Sequence, residues 1–140
     1  MLSFAAMLIG VASVIDGDTI EIHGQRIRFH GIDAPESRQV CQLDGEPWRC
    51  GTAAANALAD WIGRRTVECE DRGRDRYKRV IASCTVGGVS VEAWLVENGW
   101  ALDYERYSGG EFSGEQARAK AERRGVWASE FEAPWEWRRR

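Results

Sequence analysis

The chain has no excess of positive charge: its 22 Asp and Glu residues outnumber its 19 Lys and Arg residues, and its net charge is −3 at pH 7. A protein that coats nucleic acid carries a basic footprint over much of its surface, and this composition excludes that class. Any site for a polyanion must therefore be local. Short basic stretches lie at 71–79 (DRGRDRYKR), at Arg26 and Arg28, and in the C-terminal WRRR. Such runs more often form a solvated face than a binding site.

The chain also lacks any C-x-x-C pair and has only two histidines, His23 and His30. This pattern disfavours a zinc site. The four cysteines favour two disulfides instead, which implies an oxidising, extracytoplasmic compartment. The alternative is a cytosolic protein with four buried thiols.

Two disulfides are predicted, Cys41 with Cys50 and Cys69 with Cys84, out of three possible connectivities. Cys41 and Cys50 bracket a loop of Gly, Pro and polar residues that has few other means of ordering itself. Cys69 and Cys84 lie on two predicted strands at nearly equal distances from the turn between them. Directly opposed residues on antiparallel strands approach within disulfide range, so this second pair would brace the strand that begins at Arg79.

No hydrophobic run in the sequence is long enough to span a bilayer. The apolar N-terminal segment, residues 1–12, is too short and has no positively charged start. We interpret it as the remnant of a secretion signal or as an extension of the first strand, and we expect no membrane partner. Residues 13–140 are predicted to form one domain with one core, because a chain of 140 residues suits that size. We expect a monomer.

Apolar and polar residues alternate with period two through residues 13–32, which predicts half-buried strands, with a hairpin over 19–32 that turns at HGQR. Helical spacing and turn residues predict helices over 52–65, 91–102 and 113–127 and strands over 66–70 and 79–86. This order predicts a mainly β, α+β fold in which a small closed barrel has helices packed outside it.

Three carboxylates, Asp18, Asp33 and Glu36, follow predicted strands or turns. Taken singly, each is more often a turn-forming or exposed residue. If the barrel brings the strand ends together, three like charges converge, which is costly unless a cation is bound. Oxygen ligands without nitrogen or sulfur favour calcium over zinc.

Two arginines, Arg28 and Arg79, lie on or at the start of predicted strands, where positions are rigid. The planar guanidinium group donates to a phosphate in bidentate fashion and keeps its charge. A metal ion, a candidate base and two arginines are the groups that attack on a phosphodiester requires.

Together these residues resemble the thermonuclease family, whose members contain staphylococcal nuclease-like domains. The motifs that carry the resemblance are VIDGDT at 14–19, RFHGIDAPE at 28–36 and DRYKR at 75–79. The resemblance extends from about Ser13 to Trp127, and it implies an OB-type five-stranded barrel with about three packed helices.

The resemblance further implies a role for each matching residue. The implied calcium ligands are Asp18, Asp33 and the backbone carbonyl of Ala34. The implied catalytic residues are Glu36 as the general base and Arg28 and Arg79 on the scissile phosphate. The implied substrate-binding residues are Arg76, Tyr77 and Tyr107. The spacing of the tyrosines around Tyr107 departs from the family pattern.

The expected activity is that of a calcium-dependent nuclease that hydrolyses DNA, RNA or both and leaves 3′-phosphate ends. One alternative is an OB-fold module that binds nucleic acid without cutting it. Another is an extracellular structural domain stapled by calcium, which leaves the outward-facing arginines unexplained. The complete set of implied metal ligands and catalytic residues favours the nuclease.

Overall fold

The computed structural model describes residues 6–140, and within them the chain has a mixed α+β fold. In chain order the strands are β1 (Met7–Val11), β2 (Ser13–Asp16), β3 (Thr19–Ile22), β4 (Gln25–Phe29), β5 (Ile32–Asp33), β6 (Cys41–Leu43), β7 (Glu46–Trp48), β8 (Thr66–Arg74), β9 (Val80–Val86), β10 (Val89–Ser90) and β11 (Leu102–Asp103). The helices are α1 (Cys50–Ile62), α2 (Val91–Glu97), α3 (Glu105–Ser108), α4 (Ser113–Ala121) and α5 (Pro134–Trp137), with a 3₁₀ turn at Gly125–Ala128.

The main sheet has seven strands in the order β1-β8-β9-β4-β3-β2, with β10 beside β9. Its neighbours are antiparallel except for the parallel pair β4 and β9. The sheet curls into a half-barrel, which brings β1 close to the end of β3 although the two strands are not neighbours in the sheet. At this contact the ring Nε2 of His23 donates to the carbonyl oxygen of Ile9 at 3.2 Å. The curled sheet with helices outside it is consistent with the OB-type barrel that the resemblance implied.

The mixed α+β class is confirmed, but the predicted five strands and about three helices are not. Within residues 6–140 the main sheet alone has seven strands, and five helices are present. The extra elements include β10, α3 and α5, which have two to four residues each. Elements of that length are too short to show a period, so the sequence pattern does not reveal them.

The hairpin predicted over residues 19–32 is formed by β3 and β4. It turns at His23 and Gly24, which have φ values of 50° and 78°. The pairing buries Ile20 and Ile27, which face each other across the hairpin, and leaves Arg28 on the opposite face of β4. The alternation that predicted the strands thus also decided which side chains enter the core.

Part of the apolar N-terminal segment belongs to the sheet. Residues 7–11 form β1, which pairs with β8. The rest of the predicted segment includes residues 1–5, which lie outside the described residues. No helix within residues 6–140 combines the length and the apolar character needed to cross a membrane.

The helix predicted over 113–127 is shorter than expected, because α4 ends at Ala121 and the chain turns before the 3₁₀ segment. Gly125 has a φ of 54°, and a Cβ at this position would lie 2.4 Å from the carbonyl oxygen of Gly99. The backbone nitrogen of Val126 then donates to that same oxygen at 2.9 Å. Two glycines therefore allow the chain after α4 to dock on the end of α2.

Both predicted disulfides are present. Cys41 and Cys50 have Cα atoms 5.7 Å apart, and Cys69 and Cys84 have Cα atoms 4.0 Å apart. Cys69 and Cys84 are directly opposed on β8 and β9, as predicted. The first bridge joins β6 to the start of α1, and the second braces the pair of strands that leads to Arg79.

A second, smaller core lies beside the main one and joins the disulfide loop to the C-terminal segment. Its buried members are Cys41, Cys50, Leu102 and Val126, and Trp48, Trp127, Phe131, Ala133 and Trp135 pack against them. Trp127 and Trp135 thus anchor the C-terminal residues, which also form the short helix α5. This cluster fixes where the end of the chain lies relative to the barrel.

The carboxyl group of Glu92 is buried between α2 and β9. Both oxygens of Glu92, in the first turn of α2, accept hydrogen bonds of 3.1 Å from the backbone nitrogen of Cys84. Burial raises the pKa of Glu92 from 4.5 to about 8. The negative charge of Glu111 raises the pKa further, whereas the hydrogen bond from Cys84 and the positive charge of Arg72 lower it. Glu92 is therefore protonated in the folded protein at neutral pH.

Glu92 should make the protein less stable as the pH rises. Between pH 4.5 and about 8 the unfolded state has lost this proton and the folded state retains it. The free energy of unfolding should fall by as much as ~1.4 kcal/mol per pH unit over that interval. Glu92→Gln should flatten this dependence, and denaturant unfolding at several pH values measures it. The control Glu97→Gln, on the same helix but outside the core, should retain the wild-type slope.

Candidate active site

The candidate active site lies where three strand ends meet. Asp18 occupies the turn between β2 and β3, and its backbone oxygen accepts from the nitrogen of Phe29 at the end of β4. One carboxylate oxygen of Asp18 accepts from the backbone nitrogen of Ala34, just after β5, at 3.0 Å. These bonds tie the turn to the ends of β4 and β5, and so fix the carboxylate of Asp33 beside that of Asp18.

Arg28 lies between the two aspartates. Its Nη1 is 3.6 Å from Oδ2 of Asp18, and its Nη2 donates to Oδ1 of Asp33 at 3.3 Å. Nη1 also donates to the carbonyl oxygen of Ile32 at 2.9 Å. Backbone and carboxylate acceptors together hold the guanidinium group, so its position is fixed by the barrel rather than by a flexible side chain.

A second arginine, Arg138, enters the same site from the C-terminal end of α5. Its two terminal nitrogens donate to both oxygens of Asp33, at 2.9 and 2.8 Å. Its Nη1 also donates to Oε1 of Glu36 at 2.6 Å. Arg138 therefore joins the predicted metal ligand and the predicted base in one ion-pair network.

Arg138 is held in place by the packing of the preceding residues. The ring of Trp135 in α5 stacks on Tyr104, with centroids 5.1 Å apart. Gln39 links the two segments more directly: its Nε2 donates to the carbonyl of Glu132, and its Oε1 accepts from the nitrogen of Glu36 at 3.2 Å. The loop that bears Glu36 and the tail that bears Arg138 are thus connected through one buried side chain.

Burial raises the pKa of Asp33 to about 6, although its hydrogen bonds with Arg138 lower it and Arg28 acts in the same direction. The charge of Asp18 adds to the effect of burial. The pKa of Arg138 is raised by its hydrogen bond to Asp33. Removing Asp33 from water thus outweighs the gain from two cationic partners.

Asp16 is an acidic residue of the site that the sequence analysis did not select. Its Oδ1 is buried and has no hydrogen-bond partner within residues 6–140. Burial raises its pKa to about 6, and the charges of Asp18 and Glu36 raise it further, against Arg28 and Arg79. The signal available in the sequence was the IDGD turn itself, which contains both Asp16 and Asp18.

Arg79 is oriented by Asp75 across the basic turn. Its Nε donates to Oδ2 of Asp75 at 2.7 Å, and Oδ1 of Asp75 accepts from the backbone nitrogens of Arg79 and Tyr77. Burial raises the pKa of Asp75, but these hydrogen bonds outweigh it and leave the pKa below its usual value. The structure therefore gives Arg79 an ionised partner that holds its Nε.

The predicted substrate-binding residues are at the surface. Tyr77 is 65% exposed, and the guanidinium groups of Arg76 and Arg79 lie 5.0 and 5.5 Å from the centroid of its ring. Tyr107 is 58% exposed and meets Tyr104 edge-on at 4.9 Å. Both rings therefore have surface available for a ligand, and Tyr107 is connected through Tyr104 to the tail that carries Arg138.

Within residues 6–140, no three His, Cys, Asp or Glu side chains already stand close enough to hold a metal ion. The donor chemistry nevertheless fits calcium: Asp16, Asp18, Asp33 and Glu36 supply oxygen alone. The unpartnered, buried oxygen of Asp16 is a further group that a cation would satisfy. Two of these carboxylates are at present bound by Arg138, so a cation could gather them only after side chains move.

A curled OB-type sheet whose strand ends bring carboxylates and arginines together defines the structural class. Residues 26–129 match the sequence model of the staphylococcal nuclease homologues, and the chain belongs to that family. The match includes Arg28, Asp33, Glu36 and Arg79, whereas β1, β2, β3 and α5, and with them Asp16, Asp18 and Arg138, lie outside it.

Several curated proteins are similar to this chain. The succinoglycan biosynthesis protein ExoI of Rhizobium meliloti (strain 1021) is 43% identical over 132 residues, which are 91% of this chain and 69% of that protein. An Escherichia coli protein named "Uncharacterized endonuclease" is 32% identical over 93% of this chain and 84% of its own length. A probable staphylococcal-like nuclease of Oryza sativa subsp. japonica, CAN4, is 32% identical over 81% of this chain. The matched part is only 21% of the length of that rice protein.

The structure thus places Asp18, Arg28, Asp33 and Glu36 in one network and keeps Arg79 close enough to affect Asp16. Two members of the site, Asp16 and Arg138, are not among the residues that the sequence motifs implied. For Arg138 the available signal was the run of three arginines that follows Trp135 and Trp137, but nothing in its spacing indicates where the tail folds.

Proposed function

We propose that this protein is a nuclease that uses calcium to hydrolyse phosphodiester bonds of DNA, RNA or both. The observation that carries the proposal is an ion-pair network of carboxylates and arginines. In it Arg28 contacts Asp18 and Asp33, and Arg138 links Asp33 to Glu36. Attack on a phosphodiester needs cations to meet the developing negative charge and carboxylates for a metal ion and a base. Membership of the staphylococcal nuclease family, which is generally calcium-dependent, supports the same function.

In the proposed reaction Glu36 accepts a proton from a water molecule while the water oxygen forms a bond to phosphorus. The bond between phosphorus and the 5′ oxygen breaks, this oxygen takes a proton from solvent, and the other product keeps a 3′-phosphate. The side chain of Glu36 is 30% exposed, which supports access of water. Arg28 and Arg79 bind the phosphate oxygens and stabilise the charge that develops on them.

Calcium would be held by Asp18, Asp33 and the backbone carbonyl of Ala34. When bound, it would neutralise phosphate charge and help to orient the attacking water. The buried positions of Asp18 and Asp33 support this role, because the barrel rather than solvent then determines where their oxygens lie.

The substrate would extend from this centre along the exposed tyrosines. Tyr77 offers a ring on which a base can stack, and Arg76 beside it offers a cation for a neighbouring phosphate. Tyr107 would provide a second stacking surface. Aromatic platforms next to isolated cations suit a chain whose net charge is negative, since binding then depends on local groups.

The competing proposal is an OB-fold module that binds nucleic acid without cutting it. Binding alone requires the exposed rings and basic residues but not a buried pair of aspartates next to a glutamate. Burying Asp16 and Asp33 costs free energy, as their raised pKa values indicate. A bound cation would offset this cost, and a catalytic site requires such a cation whereas binding alone does not, so the site favours the nuclease.

We further propose that the protein works in an oxidising, extracytoplasmic compartment as a monomer with one domain over residues 13–140. The two disulfides support the compartment, because such bridges are rare in reducing cytosol.

The proposed function predicts cleavage that depends on calcium. Single-stranded and double-stranded DNA and RNA, labelled at one end, would be incubated with the protein in calcium or in excess chelator. We expect cleavage with calcium and none with chelator, and products whose 3′ ends require a phosphatase before they can be extended. Undiminished cleavage in chelator would remove calcium from the mechanism. Binding without cleavage on all four substrates would favour the binding module.

A further inference from the structure

We propose that Arg138 is a built-in competitor of the metal ion: its guanidinium group occupies Asp33 and Glu36, and calcium binds only when this side chain leaves. The proposal rests on the proposed function, because it assumes that the site binds a cation. It adds a role for the C-terminal segment, which the site motifs do not contain.

The contacts of Asp33 make simultaneous binding unfavourable. Its side chain is fully buried, and Arg138 donates to both of its oxygens, while Arg28 donates to Oδ1 as well. Arg138 also donates to Oε1 of Glu36 with the same Nη1 that contacts Asp33. A calcium ion needs oxygen atoms that face it directly, and the guanidinium group lies in front of these two carboxylates.

Charge explains why such a group is present. Asp16, Asp18, Asp33 and Glu36 are close enough for their charges to affect one another. Without a metal ion, this acidic group destabilises the fold through repulsion and burial. Arg138 supplies positive charge to the metal-free protein at the place where a divalent cation would supply it. The arginine therefore reduces the free energy gained when the cation binds, and the bound cation reduces the free energy gained from the ion pairs of Arg138.

The tail can release Arg138 without leaving the protein. The second core and the stacking of Trp135 on Tyr104 fix the segment before it, and Gln39 binds the carbonyl of Glu132. The side chain of Arg138 itself is 37% exposed, so rotation toward solvent requires no unfolding of α5. Release is therefore a side-chain movement, and its free-energy cost is the loss of the ion pairs.

The test is the affinity for calcium in the absence of nucleic acid, measured by isothermal titration calorimetry at mildly alkaline pH. Calcium binds only to those molecules in which Arg138 is released, so the apparent affinity equals the intrinsic affinity multiplied by that fraction. Removing the arginine should therefore strengthen calcium binding by ~10-fold or more. We expect Arg138→Ala to show this gain. Arg138→Lys, which keeps the charge but not the bidentate fork, should fall between Arg138→Ala and wild type.

The matched control is Arg139→Ala, which removes the same charge from the neighbouring position. Arg139 is 74% exposed and its ion pair is with Glu136, at 3.9 Å, within the tail itself. We expect its calcium affinity to stay near that of the wild type. Equal gains in Arg138→Ala and Arg139→Ala would overturn the proposal, because the gain would then come from net charge alone.

Thermal unfolding with and without calcium provides an independent measurement on the same variants. Calcium should raise the midpoint of Arg138→Ala more than that of the wild type, since binding to the folded state stabilises it in proportion to affinity. Similar calcium affinities and similar shifts of the unfolding midpoint in wild type and Arg138→Ala would overturn the proposed competition, but they would not contradict the proposed calcium site. No heat of binding and no shift in any variant at millimolar calcium would overturn both the competition and the proposed metal site.

Discussion

Replacing Glu36 by Gln is expected to slow phosphodiester cleavage by ~10²–10⁴-fold, the contribution of a well-placed general base. The amide cannot accept the proton of the attacking water, but it has nearly the same size as the carboxylate, and in the calcium-free protein its oxygen can still accept the hydrogen bond that Arg138 donates to Glu36. The backbone of the loop, held by Gln39, should also be unchanged. Single-turnover cleavage of end-labelled DNA under saturating calcium measures the rate.

Two accompanying measurements make the result specific to the proton transfer. Binding of fluorescent single-stranded DNA by Glu36→Gln should remain within a few-fold of wild type. The same replacement at Glu46, an exposed residue after the turn between β6 and β7, should leave the rate unchanged. A cleavage rate in Glu36→Gln equal to that of Glu46→Gln would mean that another group activates the water.

Replacing Arg79 by Lys is expected to reduce kcat by ~10²-fold or more, the range for loss of one donor to a charged transition state. The guanidinium group is oriented by its Nε bond to Asp75, which leaves its two terminal nitrogens for a phosphate. A lysine ammonium is a point charge that must either pair with Asp75 or reach the phosphate, and it cannot do both in the same geometry. Steady-state kinetics on a short DNA substrate give kcat and KM separately.

The control for Arg79→Lys is Arg26→Lys, an exposed arginine on β4 that is two residues from Arg28. Its kcat should equal that of the wild type. A full rate in Arg79→Lys would contradict the bidentate role, whereas a loss confined to KM would assign Arg79 to ground-state binding. Arg28→Lys is the companion variant, because Arg28 also spans two acceptors.

Features that depend on neighbouring residues along the chain could be predicted. The alternation through β3 and β4 predicted the hairpin and the burial of Ile20 and Ile27, and the equal spacing of Cys69 and Cys84 about the turn predicted their bridge. Asp18, Asp33 and Glu36 follow predicted strands or turns, so they were expected to converge if the barrel brought those ends together, and in the structure Arg28 and Arg138 connect all three.

Other features depend on contacts between distant residues and could not be predicted in this way. The close approach of Gly99 and Gly125, where a Cβ on Gly125 would lie 2.4 Å from the carbonyl oxygen of Gly99, joins residues 26 positions apart, and no local pattern indicates it. Asp16 looked like a turn residue, and only the packing around it removes its Oδ1 from water.

The sequence by itself determined the class of fold and the two disulfides, because period and turn residues are properties of neighbouring residues; the roles proposed for Asp18, Arg28, Asp33, Glu36 and Arg79 were implied by the resemblance of their motifs to the thermonuclease family. Only the tertiary structure decided that Arg138 lies on Asp33 and Glu36, which are about 100 positions away in the chain. The position of the tail depends on Trp135, Tyr104 and the second core, which form only when segments distant in sequence pack together. A run of arginines has no preferred partner until that packing brings two carboxylates within hydrogen-bonding distance.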